Sequence, residues 1–437
     1  MKPQSSMPDS TDRPFQSVNR AGSAGVVVHG IVAAFSVYFC MYAFRKPFTA
    51  VTFSELHFLG TRIDLKTACV ISQSVGYLLS KYIGAKICTE VSSARRVRLL
   101  LGLILLAEFG LLLFAVLPES GKPVAMLING LPLGMVWGVV IRYLEGRRSS
   151  ELLMAGLSCS YIIAGAVTRD IGRDIVIGDW GIAPIWMPFT TGALFFIPFC
   201  AGIWLLDRLP APTASDVSMR SPRHSMKAEE RREFIQRFRG EMLLLLIAYF
   251  FLTAFRDFRD QYAVELFQSL GLDGRRAIFF QTERWAVLGT IVAAGGLCLI
   301  PSHRAALAAT YAVIITGFLI IGAATIAFEG HAISGYTWMA IVSLGMYLAY
   351  VPFGVGLFER IMAGSRLAGT SVFAIQLADG VGYTGSVLIQ FYRDLAHGDA
   401  DRLAFVLPFA EVTSVIGIVA MLASGLLLKR HISDAPT

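Results

Sequence analysis

Three side chains on one stripe of the first apolar run set the chemistry to be explained. Tyr38, Tyr42 and Arg45 follow at i, i+4 and i+7 in the stretch YFCMYAFRKPF, so at 3.6 residues per turn two phenols and a guanidinium share a helix face. Tyr77 and Lys81, spaced i and i+4, repeat the arrangement with an ammonium. Farther on, the run EMLLLLIAYFFLTAF gives way to RDFRD, which gathers Arg256, Asp257, Arg259 and Asp260, and later runs carry Glu283 and Asp379. A charge at membrane depth costs roughly 2.5–3.5 kcal/mol on insertion scales, so it persists where it faces a protein interior and serves a function. Each residue taken singly has a plainer reading: tyrosines near helix ends form interfacial belts, and Lys46 or Arg259 can snorkel to the headgroups. Together, cations on the first, second and seventh runs with acids on the seventh, eighth and eleventh describe a charge-lined cavity better than independent anchors. Arginine presents a planar fork of donors that fits phosphate oxygens bidentately, and two in a dry cavity neutralise a dianion. A carboxylate substrate would use the same forks.

The elements that hold these residues are membrane spans. A chain of 437 residues that is 55% hydrophobic and 16% charged, with mean hydropathy +0.61, is a polytopic membrane protein. Apolar runs of about 20 residues predict helices near 24–45, 65–88, 98–117, 123–143, 152–168 and 184–206. A second six follow near 241–267, 276–299, 304–327, 333–356, 367–392 and 404–428. The expected class is an all-α integral membrane protein of twelve spans in two six-helix halves, 21–206 and 241–430. A polar tail (1–20) precedes them, a basic linker (207–240) joins them, and a short tail (431–437) follows. The linker ends in an amphipathic, charged run and reads as a solvated connector. Arg45 and Arg256 fall at corresponding points of the two halves, as do Glu145 and Glu359, which fits repeats that rock about a midplane site.

Basic residues collect at Arg95, Arg96, Arg98, Arg147, Arg148, the linker, Arg360, Arg366, Lys429 and Arg430, all on one side if the N-terminus is cytoplasmic. Both termini are therefore expected in the cytoplasm, and the net charge of +7 follows from topology without nucleic acid. The first apolar run is too long for a signal-peptide core and should be retained. The six cysteines lie in or beside apolar runs with no CxxC pair and no histidine grouping, so neither metal nor cofactor is expected. No GxSxG or HExxH motif is present, which argues against an enzyme. Short loops and the lack of an N-x-S/T sequon fit a bacterial inner membrane.

Several motifs resemble the major facilitator superfamily and, within it, the organophosphate:phosphate antiporters typified by the glycerol-3-phosphate and hexose-phosphate transporters. These are Tyr38, Tyr42, Arg45, Lys46 and Phe48 on the first helix, and Tyr77, Ser80 and Lys81 in GYLLSKY on the second. Arg256 and Asp260 match on the seventh, with Arg259 a competing register, and Glu283 precedes Gly289 and Thr290 on the eighth. Tyr350 and Pro352, Ala368 to Thr370, and Gly382 to Ser386 extend the likeness to the tenth and eleventh. The resemblance implies the major facilitator fold, with Arg45 and Arg256 gripping a phosphate from opposite halves while Lys81 adds positive field. It implies a cavity lined by Tyr38, Tyr42 and Tyr77, and charge pairs Lys46 with Asp260 and Lys81 with Glu283 that break or swap during transport. The chain departs from this pattern twice. The superfamily signature between helices two and three is degenerate as GAKICTEVSSARRVR, and Ser158, Ser160 and Tyr161 stand where the family has a fifth-helix histidine. The fourth helix keeps Gly134 to Trp137 and Arg142.

The expected function is secondary transport of a small phosphorylated anion in exchange for inorganic phosphate. Proton-coupled symport of a carboxylate is the alternative, with Glu283 and Asp379 as candidate proton carriers, and a transporter-like receptor for a phosphorylated metabolite is a third reading.

Overall fold

The computed structural model describes residues 14–53, 64–144, 150–210, 232, 235–300, 302–358, 360–361, 371–397 and 401–433. Most of the linker expected at 207–240, and parts of both tails, lie outside the described residues. Among the described residues, twelve long helices account for the fold. The first six are α1 (Pro14–Ala43), α2 (Leu65–Glu90), α3 (Ser93–Val116), α4 (Lys122–Leu144), α5 (Ser150–Asp170) and α6 (Met187–Asp207). The second six are α7 (Arg239–Gln261), α8 (Ile278–Cys298), α9 (His303–Glu329), α10 (Gly335–Pro352), α11 (Ser371–His397) and α12 (Arg402–Ser433).

The expected spans coincide with these helices, with differences at their ends. α1 stops at Ala43, two residues before Arg45, because Pro47 opens a separate 3-10 turn over Pro47–Ala50. The seventh expected span divides at Tyr262 into α7 and a short helix, Ala263–Ser269. α5 runs on as a π-helical stretch over Ile171–Asp179. α10 gives way beyond Pro352, a residue with no N–H to donate, to a π-helical turn over Phe353–Leu357.

The two halves are built alike. In the first, α1 packs on α5 and α6, α4 on α2 and α3, and α3 on α6; in the second, α7 packs on α11 and α12, α10 on α8 and α9, and α9 on α12. Advancing every label by six converts one set into the other. Without a hydrophobic drive between helices in lipid, close approach depends on small residues. A Cβ at Gly130 of α4 would lie 2.2 Å from the Gln73 carbonyl oxygen of α2, and one at Gly76 would lie 2.5 Å from the Leu127 carbonyl oxygen.

Among the described residues, six helices, α1, α3, α4, α6, α9 and α12, are long and apolar enough to cross a membrane. Leu105 and Phe109 on α3, Ile197 and Trp204 on α6, Ile326 on α9 and Val419 on α12 are exposed, a belt of apolar surface suited to lipid tails. The other six helices carry many of the charged groups of the interior, among them Lys66, Lys81, Asp260, Glu283 and Asp379. The halves meet chiefly through α2 against α11 and α5 against α8, a pair of contacts that the same shift of labels exchanges. At the second of these, Asp170 accepts hydrogen bonds from the Phe279 and Phe280 backbone N–H groups, at 3.1 and 2.7 Å. Asp174 accepts from the Ala277 N–H at 2.6 Å. Acids of one half thus cap the first turn of α8 in the other, where a helix has unsatisfied donors and a positive dipole end. Ala277, the residue ahead of that turn, is held in the left-handed region at φ +51°.

Candidate functional site

Arg45 lies in the turn that follows α1, where the chain has left the helix and its carbonyls need other partners. Two amides supply them. Asn129 of α4 donates to the Phe44 carbonyl at 3.0 Å and to the Ala107 carbonyl at 2.9 Å. Gln73 of α2 donates to Asn129 at 2.8 Å and reaches the Arg45 carbonyl at 3.4 Å. Both amides are buried, so the turn is fixed and the Arg45 side chain has a defined origin. Its guanidinium lies 4.0 Å from the centre of the Tyr77 ring, a cation–π distance, and its Nε is buried with no hydrogen-bond partner.

Arg256 of α7 is its counterpart. Its guanidinium lies 3.9 Å from the centre of the Tyr350 ring of α10. A path of contacts links the two arginines across the halves. Tyr350 stacks on Tyr249 with ring centres 5.5 Å apart, and the Tyr249 hydroxyl donates to Asp379 at 2.8 Å. Asp379 of α11 lies 3.6 Å from the Lys81 ammonium of α2, and that ammonium lies 5.2 Å from the Tyr77 ring centre. Tyr383 of α11 packs on Tyr77 at 5.1 Å. A second path returns through aromatic rings alone: Tyr350 to Tyr161, Tyr161 to Trp137, Trp137 to Tyr38 and Tyr38 to Tyr42. The predicted residues Tyr38, Tyr42, Arg45, Tyr77, Lys81, Arg256 and Asp379 therefore belong to one constellation about the contact between halves. The Lys81 and Asp379 side chains keep 25% and 22% of their exposure, so the centre is not dry throughout.

Lys46 and Asp260 sit to one side of this centre, at the end where α1 finishes and α2 begins. Lys46 bonds to Asp260, as the resemblance implied, and Arg169 of α5 shares that carboxylate at 2.7 Å. Arg169 also donates to the Asp260 carbonyl at 2.7 Å. At the same end Lys66 of α2 pairs with Glu265 at 2.6 Å and Arg402 of α12 pairs with Asp64 at 2.6 Å. The Tyr262 hydroxyl donates to Thr67 at 2.9 Å, and the Arg402 guanidinium lies 4.6 Å from the Tyr262 ring centre. Apart from the Arg402–Tyr262 contact, which lies within the second half, each of these contacts joins one half to the other.

Glu283 corrects the expected pairing. It does not meet Lys81: its carboxylate accepts from Arg259 at 2.8 Å and from Ser343 at 2.6 Å, both within its own half, and is buried. The face of α8 that carries it points to α7 and α10 instead of to α2, and Lys81 goes to Asp379. Arg259 is thereby excluded as the counterpart of Arg45, because it is buried and committed to Glu283 and the Met339 carbonyl. Sequence reasoning missed Gln73, Asn129, Lys66, Glu265, Arg169 as a partner of Asp260, and Tyr249. A polar residue inside an otherwise apolar run was the available signal for Gln73, Asn129 and Lys66.

Comparison with known proteins adds the family and supports the fold. No curated protein matches the sequence. Among solved structures, a D-xylose-proton symporter matches with TM-score 0.63 at 12% identity, over 91% of this chain and 96% of that one. A peptide transporter, POT, in complex with alafosfalin matches with TM-score 0.62 at 13% identity, over 92% and 95%. The inward-open xylose transporter XylE from E. coli matches with TM-score 0.60 at 10% identity, over 92% and 95%. At such identities the likeness is one of fold, and that fold is the twelve-helix major facilitator arrangement. A family model, Family of unknown function (DUF5690), matches residues 47–431, so the chain, an integral multi-pass membrane protein, belongs to that family.

Proposed function

We propose that this protein is a secondary transporter that moves a small phosphorylated organic anion by alternating access, in exchange for inorganic phosphate. The observation that carries the reading is the pair Arg45 and Arg256, one from each half, each seated on a tyrosine ring and joined through Tyr249, Asp379, Lys81 and Tyr77. An anion held by both forks bridges the halves, so its arrival and departure bias how they sit together. Lys46, Asp260 and Arg169 act as a latch at one end, and both termini lie in the cytoplasm of a bacterial inner membrane, which turns the latched end outward. Inward movement of a dianion against the membrane potential costs about 2.3 kcal/mol per charge per 100 mV. Exchange for another phosphate removes that cost.

The test is uptake of labelled inorganic phosphate into proteoliposomes loaded with phosphate. Saturable exchange is expected for the wild type, with a loss of at least roughly a hundredfold in Arg45→Ala and in Arg256→Ala, since each removes a charge-assisted bidentate contact from a buried anion. Phosphate exchange unaffected by both substitutions overturns the reading.

A second reading, proton-coupled symport of a small carboxylate, is favoured by Asp379, a partly exposed acid at the centre. The D-xylose structure is described as a proton symporter. Uptake driven by an imposed pH gradient with no internal phosphate separates the two.

A further inference from the structure

Two arginines at equivalent places in equivalent halves should present equivalent forks, and they do not. Arg45 is followed by Lys46, and its Nε is buried and without a hydrogen-bond partner. Arg256 is followed by Asp257, whose Oδ1 accepts from Arg256 Nε at 3.1 Å and from Nη2 at 2.7 Å. Those two donors form the side edge of the guanidinium, the edge that a bidentate oxyanion takes. Asp257 is buried, at 5% exposure, so its charge is neither hydrated away nor free to leave for solvent. One carboxylate therefore lies on the donors that a substrate would need.

We propose that Asp257 is a tethered competitor for the transported anion: its carboxylate occupies the Arg256 fork in place of the substrate's anionic group and is displaced when substrate is gripped from both halves. The inference rests on the transport reading above. It assigns Asp257 a role in specificity. An incoming anion replaces one charge-assisted hydrogen-bond pair with another, so only the surplus over the carboxylate counts toward affinity. A weak single-charge anion such as chloride gains nothing by that replacement. A group with more oxygens and more charge than a carboxylate, of which a phosphate ester is the simplest case, does gain. The bland alternative is that Asp257 orients Arg256 and nothing more; it makes the opposite prediction, because an arginine that loses its orienting partner binds anions less well.

The experiment is calorimetric titration of the full-length protein in lipid nanodiscs with inorganic phosphate and, separately, with succinate. The forms compared are wild type, Asp257→Asn, Asp257→Glu and the double variant Asp257→Asn with Arg256→Gln. Asp257→Asn is expected to bind phosphate about tenfold more tightly than wild type, a shift that Arg256→Gln abolishes, while Asp257→Glu, which keeps the charge, binds like wild type. Should Asp257→Asn not elute as a single species, Asp257→Ser removes the same charge and is judged by the same criterion. Unchanged or weaker binding of both anions in the neutral variants overturns the inference and leaves the transport reading standing. Tightening toward succinate but not phosphate keeps the competitor role and overturns the phosphate reading, and absence of binding of either anion to every form overturns both.

Discussion

The end where α1 gives way to α2 and the centre between the halves are both lined with charge, yet they treat it differently. At the end, Lys66 is fully buried at 2.6 Å from Glu265, and Lys46 and Arg169 share Asp260. At the centre, Lys81 and Asp379 stand 3.6 Å apart with about a quarter and a fifth of their side chains exposed. A dry pair gains Coulomb energy but has given up its hydration, so either partner left alone is costly. A pair that keeps about a quarter and a fifth of its exposure has given up less of its hydration and trades partners more readily. The end is therefore suited to holding two halves in register, and the centre, on the transport reading proposed above, to exchanging a protein carboxylate for a ligand's anion.

Substitutions separate the two regions most sharply at Lys66. Lys66→Met leaves Glu265 buried and unpaired, and is expected to lower the unfolding free energy by about 3–5 kcal/mol. The double variant Lys66→Met with Glu265→Leu should recover most of that loss, since an apolar pair of similar volume carries no desolvation cost; thermal unfolding of the purified protein reads both. If the single and double variants are equally destabilised, Lys66 is acting through packing and not through charge. At the centre, Lys81→Gln should change stability by less than Lys66→Met does, because Asp379 is partly exposed and still accepts from the Tyr249 hydroxyl at 2.8 Å. It is nonetheless expected to weaken anion binding measurably by the calorimetry described above, because the field at the site falls by one positive charge. At the rim, Arg276 pairs with Asp179 at 2.6 Å while 68% exposed, and that carboxylate raises the guanidinium's already high pKa. Arg276→Ala should leave the unfolding midpoint where it is, and a clear drop would mean that the rim contributes to the closed end.

The sequence made the spans and the arginine pair legible because both depend on local pattern. Tyr38, Tyr42 and Arg45 share a stripe whatever else the protein does, and a guanidinium in an apolar run announces itself. What stayed hidden depends on partners distant in the chain. Arg169 and Arg402 flank the predicted spans 152–168 and 404–428 and carry no motif, but each meets an acid from the other half once the helices are assembled. The family resemblance pairs Glu283 with Lys81; helix rotation, which hydropathy does not encode, turns it to Arg259 instead. The stripe of Tyr38, Tyr42 and Arg45 keeps helical spacing beyond Ala43, where α1 ends ahead of the Pro47 turn, so spacing alone extends the helix too far. The seat of Arg45 on Gln73 and Asn129 follows from that turn and had no local signature beyond two amides in apolar surroundings.

The capping of α8 by Asp170 and Asp174 makes the two halves unequally vulnerable to inheritance. The donors are main-chain amides of Ala277, Phe279 and Phe280, which every residue type except proline supplies. The acceptors are two particular side chains. Drift in the first turn of α8 can therefore alter its shape and packing but scarcely its grip, while drift at Asp170 or Asp174 releases the grip at once. One partner in this clasp is written into the backbone, and only the other is exposed to mutation.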